Sequence, residues 1–262
     1  MKIGVGGNFL RAQMAKRLGY DFIEENLAQM TALDDAAFLD FVKGYEKLDF
    51  PVLSVNNFFA GDFPLYTEDA LEGVRFYCEK AFARAAYMGA KMCVVGSGGA
   101  RSIPEGTDKI WAVNRFVDVL SICGEAAEKH GIRVAIEPLQ QKDTNLVHTV
   151  SDAAVLARRC GRESVGALVD FFHFSMNTET DSGLLCAADM LIHAHIARNN
   201  PDRMPPFEED IEDVKRWARM LRDVHYQGDL VLESRFNKAD PEGDLAKARP
   251  ILELFKKEME MK

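Results

Sequence analysis

Four apolar runs in this chain each stop at a side chain carrying a carboxylate or an imidazole, and that recurrence constrains the fold more than any other feature. Val134-Ala135-Ile136 leads into Glu137 and Pro138, and Leu168-Val169 into Asp170 with His173 just beyond. Leu191-Ile192 leads into His193 and His195, and Leu230-Val231-Leu232 into Glu233. Short aliphatic runs of this kind read as parallel strands buried on both faces, and their polar ends as openings onto a site. The spacing between them is that of one strand plus one helix.

The rest of the chain keeps the same rhythm. Further strands are predicted at 2–6, 22–25, 51–55 and 92–95, and helices at 9–18, after the capping Asp34, from Thr67, and over 108–130, where Gly131 ends the last. In the second half a helix capped by Ser151 runs to Cys160. A short helix is expected near 182–188, and one carrying Ile211, Val214, Trp217 and Leu221 precedes the last strand. A terminal helix from Asp244 should kink or restart at Pro250. Eight strand–helix pairs without a linker or composition break predict an α/β fold, one closed (β/α)8 barrel over residues 1–262 as a single domain.

Composition narrows the partners. With 41 acidic against 32 basic residues the net charge is −9, which repels a polyanion at long range, so nucleic acid is not an expected partner. Five cysteines, an odd number without a CxxC, fit reduced thiols. The start Met1-Lys2-Ile3-Gly4-Val5 lacks a signal-peptide pattern and no apolar stretch reaches the length of a membrane span, so a soluble cytoplasmic protein is expected, with no membrane partner.

In such barrels catalytic groups project from the carboxyl ends of the strands, which should bring Glu137, Asp170, His195 and Glu233 to one mouth. Three carboxylates and an imidazole suit one divalent metal ion, Mn²⁺ or Mg²⁺ first, with Zn²⁺ or Co²⁺ also accommodated. A cation also accounts for the clustering, because carboxylates brought together repel one another. Any one of the four, taken singly, reads equally well as a barrel-end salt bridge. His193 shares a strand face with His195 and is expected to support or pack beside it. Gly96-Ser97-Gly98-Gly99-Ala100 offers backbone N–H groups to an anion, but it contains neither a GxGxxG nor a Walker pattern and reads better as a tight loop beside the site.

Ile136-Glu137-Pro138-Leu139, Val169-Asp170-Phe171-Phe172-His173, His193-Ala194-His195-Ile196-Ala197 and Leu232-Glu233-Ser234 together resemble the sugar isomerase/epimerase branch of the xylose-isomerase-like TIM barrels, which includes ketose 3-epimerases, hydroxypyruvate isomerase and inosose isomerase. The resemblance extends over nearly the whole chain. It implies one divalent metal on Glu137, Asp170, His195 and Glu233, with Glu137 and Glu233 also the catalytic acid/base pair. It further implies substrate-oxygen contacts from His173 and from Arg203, which lies in the loop after strand seven. That loop departs from the ketose epimerases: the spacing from His195 to Arg203 is longer, and Phe207 follows Pro206 where a glycine is familiar. Asn199-Asn200-Pro201-Asp202-Arg203 is closer to the hydroxypyruvate-isomerase version.

A metal flanked by two carboxylates suits proton abstraction next to a carbonyl through a metal-stabilised enediolate, with return of the proton to the opposite face giving epimerisation and return to the neighbouring carbon giving isomerisation. The expected substrate is a small sugar, keto-sugar or related polyhydroxy carbonyl compound. A metal-dependent dehydratase or lyase would use the same chemistry. Endonuclease IV shares the barrel, but no histidine precedes His130 here, and Arg198 and Asn199 stand where an Asp-x-His pair would be needed. A non-catalytic binding module is disfavoured by ligand-type residues at all four strand ends. By analogy with other barrels, a homo-oligomer is the expected assembly.

Overall fold

The predicted apolar runs all form strands, and each strand pairs in parallel with its neighbours in chain order. In the computed structural model, which describes residues 1–261, β1 (Ile3–Gly6), β2 (Phe22–Asn26), β3 (Val52–Asn56), β4 (Met92–Val95), β5 (Arg133–Ile136), β6 (Val165–Asp170), β7 (Leu191–Ile196) and β8 (Leu230–Leu232) form one closed barrel. Closure comes from β8 pairing with β1, Ile3 opposite Leu230 and Val5 opposite Leu232. Because no strand is left at an edge, every residue of β6 is buried, as a sheet covered on both faces requires.

Alternation along the strands sorts side chains between two cores. One set packs outward against the helices and forms the main core, including Val134, Ile136, Val169 and Ala194. The other set faces the barrel interior, where Val94, Ala135 and Leu168 make a small separate apolar cluster. Gly4 leaves room for this floor: a Cβ there would come within 2.4 Å of the Phe22 ring. Two residues beyond Phe22, Ala135, Leu168, His193 and Val231 the chain places Glu24, Glu137, Asp170, His195 and Glu233, and the interior is polar there. Apolar below and ionisable above is the division that places a site at the carboxyl end.

Helix ends follow local chemistry, with three departures from expectation. Asn8, Asp34 and Asp108 each accept a backbone N–H of the first turn, a contact worth about 1 kcal/mol. The helix expected from Ser151 begins instead at Val150, because Thr149 and Asp152 form a reciprocal capping box, while the Ser151 hydroxyl donates to Gly183 O at 2.9 Å. The helix expected from Thr67 begins at Ala70. The terminal helix runs unbroken from Pro241 to Glu260 through Pro250. Asp240 caps it and Pro241 occupies the position where a missing N–H costs nothing. Its buried stripe, Leu245, Ala248, Ile251, Leu252 and Phe255, continues on both sides of Pro250, and that packing carries the helix through the lost hydrogen bond.

No described helix is long and apolar enough to cross a membrane. Next to the polar interior lies a buried pair on the outer face of β2: Tyr45 donates to Glu25, whose carboxyl is pushed up to about 7 by burial. A carboxyl raised in this way favours the fold while protonated and loses that advantage as pH climbs from the ordinary carboxylate range through about 7. Thermal denaturation should therefore show Glu25→Gln to be more stable than the unsubstituted protein at pH 8, by about 1–3 kcal/mol, with the gap closing by pH 4. Equal gaps at both pH values would contradict the assignment.

Candidate active site

Four residues of the expected set arrive together. Glu137 follows β5, Asp170 ends β6, His195 lies near the end of β7 and Glu233 follows β8, and one donor atom from each lies within 4.8 Å of the others. His195 Nδ1 stands 3.2 Å from Glu233 Oε2 and 3.5 Å from Glu137 Oε1. Asp170 divides its two oxygens: Oδ1 accepts the backbone N–H of Phe172 at 2.8 Å and so caps the short helix Phe171–Met176, while Oδ2 accepts from Arg203 at 2.8 Å. The same Arg203 nitrogen reaches Glu233 Oε2. Asn56, at the end of β3, donates to Glu233 Oε1 at 3.3 Å.

Arg203 sits on the loop after β7 in a left-handed backbone conformation, φ 54°. Its guanidinium lies over the Phe172 ring, 5.0 Å from the centroid. His173 is buried, and Gln140 N donates to its Nδ1 at 3.3 Å, which places the proton of the neutral ring on Nε2. That nitrogen lies 3.7 Å from Asp170 Oδ2 and has no hydrogen-bond partner among the described residues. Glu137, Gln140, Phe172, His173, Arg203 and Glu233 line a cavity of about 490 Å³, together with Lys142, Asp143 and Arg235.

Behind the four lies a carboxylate that the strand-end pattern did not reveal. Glu24, on β2 and fully buried, accepts a hydrogen bond from His193 Nε2 at 2.9 Å and approaches His195 Nε2 at 3.0 Å. His193 makes a hydrogen bond to Glu24, whereas His195 Nε2 meets Glu24 Oε1 as a close charge pair without hydrogen-bond alignment, and its Nδ1 faces Glu137 and Glu233. The sequence signal was the pair Glu24-Glu25 in an apolar strand: alternation sends one inward to the histidines and the other outward to Tyr45. Arg101 is a second residue that was missed. It is fully buried, donates to Glu137 O at 2.6 Å, and has its proton affinity lowered to about 10 by burial.

The glycine-rich stretch resolves into a four-residue helical turn, Gly98–Arg101, serving close packing. A Cβ on Gly96 would overlap Glu137 Oε2 at 2.1 Å, so only glycine lets that carboxylate occupy its place. His130, His148 and His225 stand apart from the cluster, His148 Nδ1 contacting Leu139 O at 3.1 Å.

Charge explains what this arrangement is suited to hold. Burial opposes ionisation of Glu24, yet His195 and His193 outweigh it and hold the carboxyl well below its usual range. For Glu233, burial is likewise outweighed, here by Arg203 and His195, and the group is held down at about 2. Glu137 moves the other way: burial first, and then the charge of Glu233, push it up. On His195 burial favours the neutral ring, but Glu24 and Glu233 hold a proton on it well above the ordinary imidazole range. The cluster thus has more negative charge than its own cations neutralise comfortably. Glu137 Oε1 and His195 Nδ1 are buried without an aligned hydrogen-bond partner. Oxygen-rich donors, an imidazole and orphaned buried lone pairs fit a divalent cation.

A model of the xylose isomerase-like TIM barrel matches residues 12–256. The chain belongs to that family. Among its relatives, D-psicose 3-epimerase of Agrobacterium fabrum (strain C58 / ATCC 33970) is 26% identical over 231 residues, 83% of this chain and 75% of that protein. The 3-dehydro-D-guloside 4-epimerase of Escherichia coli (strain K12) is 32% identical over 127 residues, and this match spans 47% of each protein, about half the relative's length. A solved D-psicose 3-epimerase, crystallised in the presence of D-fructose, superposes with a TM-score of 0.80 at 18% identity over 99% of both chains.

Within this family member, Glu24 is the buried charge on which two histidines depend. Replacing it with Ala leaves His193 and His195 without their counter-charge, and the expected loss is about 3–5 kcal/mol in urea denaturation. A Glu24→Ala protein within 1 kcal/mol of the parent, on the order of a surface substitution, would show that the pair does not hold the barrel mouth.

Proposed function

We propose that this protein is a sugar isomerase or epimerase that moves a carbon-bound proton next to a carbonyl, with one divalent cation held by Glu137, Asp170, His195 and Glu233. The observation that carries this reading is the placement of two carboxylates from different strands, Glu137 and Glu233, on a cavity also lined by Arg203 and His173. Family membership and two relatives named as sugar epimerases support it. A bound cation would polarise the substrate carbonyl and its adjacent hydroxyl as a Lewis acid, a contribution of several kcal/mol.

The chain's own groups do the rest. A carboxylate on one side of the reacting carbon takes its proton, and the second, arriving from another strand, returns one. Glu137, after β5, and Glu233, after β8, are that pair. His173, with its proton on Nε2, donates to a substrate oxygen. Arg203 holds a second oxygen through charge-assisted hydrogen bonds, each worth about 1.5–3 kcal/mol. Phe172 under the guanidinium and the Arg203 backbone N–H, which donates to Asn200 O at 2.9 Å, keep that side chain in place.

Purified protein with Mn²⁺ should be incubated in D₂O with ketoses, inososes, keto-glycosides and their phosphates, and deuterium incorporation followed by NMR. Exchange at the carbon beside the carbonyl is expected, lost on chelation and restored by Mn²⁺. A 3-epimerase would label C3 of a ketose, an aldose–ketose isomerase C1 or C2, whereas an unsaturated or cleaved product would mean elimination. Glu233→Gln should weaken Mn²⁺ binding in calorimetry as well as stop exchange. Full exchange by chelator-treated protein would refute the role of the cation, and silence across the panel with metal present would refute the proton transfer.

A further inference from the structure

Gln140 stands on the loop that follows β5, beyond Glu137. It is only 8% exposed, and it lines the main cavity together with Glu137 and His173. The backbone that carries it is fixed on both sides. Gln140 O accepts from Asp143 N at 2.9 Å and from Thr144 N at 3.3 Å, Leu139 N donates to Val147 O at 3.1 Å, and Asn177 Nδ2 donates to Leu139 O at 3.2 Å.

Which end of the amide is free follows from the neighbouring histidine. Gln140 N donates to His173 Nδ1 at 3.3 Å, and a backbone N–H can only donate, so Nδ1 carries the lone pair of the neutral ring. The amide atom that meets the same Nδ1 at 3.4 Å must then be a donor as well, and that atom is Nε2. Turned the other way, Oε1 would set its lone pairs against that of the ring. The tautomer of His173 therefore fixes the carboxamide and leaves Oε1 as its open end. Oε1 accepts from no described residue, and it is not sealed inside without a partner as Glu137 Oε1 and His173 Nε2 are.

An amide oxygen held in this way has lone pairs and no proton. It takes a hydroxyl, which can donate, and it repels an ether, carbonyl, carboxylate or phosphate oxygen, which cannot. Arg203 and Lys142, on the same cavity, have the opposite character and only donate. Because loop and histidine hold the amide before any ligand arrives, little ordering cost is set against the bond it makes.

Resting on the epimerase reading above, we infer that Gln140 is a specificity residue whose Oε1 accepts from a free hydroxyl of the sugar. The substrate is then unsubstituted at the carbon lying against Gln140. A sugar carrying a phosphate, a methyl ether or a further sugar on that oxygen is refused.

The test compares the Mn²⁺-loaded protein with Gln140→Leu, which keeps the backbone N–H on His173 and removes only the amide. The probes are D-fructose, the sugar present with the crystallised D-psicose 3-epimerase, and its monodeoxy derivatives, followed by deuterium exchange in D₂O. In Gln140→Leu the KM for D-fructose is expected to rise about tenfold, the equivalent of a single hydrogen bond, with kcat within about threefold. One monodeoxy derivative, lacking the hydroxyl that Gln140 takes, should have the same KM in both proteins, and the phosphate ester at that carbon should not react with the parent. An unchanged KM for D-fructose would overturn the assignment and leave the epimerase reading standing. An equal rise for every derivative, as a loosened loop would give, would do the same. If none of these sugars exchanges, nitrogen-15 NMR of the His173 ring still decides. A proton on Nε2 supports the inference, whereas a proton on Nδ1 would turn Oε1 toward the ring and overturn it.

Discussion

An uncompensated carboxylate cannot stay ionised inside a protein, and the mouth of this barrel contains four. Glu24, Glu137 and Asp170 are buried, and Glu233 is nearly so. Everything nearby supplies positive charge or directed donors to them: His193 and His195 to Glu24, Arg203 to Asp170 and Glu233, Asn56 to Glu233. The closed barrel makes this possible because it fixes the strand ends in a ring, and short apolar strands beneath provide a floor that does not yield. The polar layer is expensive in folding terms, and the apolar layer and outer helical core offset it.

The barrel and much of its site were legible from the chain alone, for a physical reason. Parallel strands buried on both faces must be apolar along their length, so a polar residue at a strand end stands out, and Glu137, Asp170, His195 and Glu233 all stood out in that way. Glu24 did not, since it lies inside its strand beside a second glutamate, and nothing local tells which of the two turns inward. Arg101 was hidden in another way. Its role depends on a backbone carbonyl from the next strand, a contact separated by 36 residues that no local pattern encodes. Helix boundaries slipped where two capping residues competed, as Thr149 and Ser151 did, or where packing overrode a proline, as at Pro250.

The loop from Arg198 to Glu209 shows how a polar segment is made to deliver one side chain. Arg198 pairs with Asp202 and lies within 3.3 Å of Glu209, and Arg198 N donates to Met204 O at 2.9 Å, so the loop closes on itself. Arg203 is the residue left turned over the cavity, and its left-handed backbone is the conformational cost of that presentation. Its carbonyl in turn accepts from Arg235 N at 2.8 Å, which ties the loop to the chain leaving β8.

The division of labour within Asp170 has a consequence for ion choice. Because Oδ1 is committed to the backbone at the start of Phe171–Met176, the oxygen that faces the cluster is Oδ2, which also accepts from Arg203. His195 likewise offers a single nitrogen. A cation held as proposed would meet one-atom donors at Asp170 and His195. Calcium, which prefers six to eight oxygens and often takes carboxylates two atoms at a time, is poorly served by such a set, whereas smaller ions that accept fewer ligands in fixed directions are well served. In the proposed metal site, a capping hydrogen bond that starts a six-residue helix would thereby act as a filter on ionic radius.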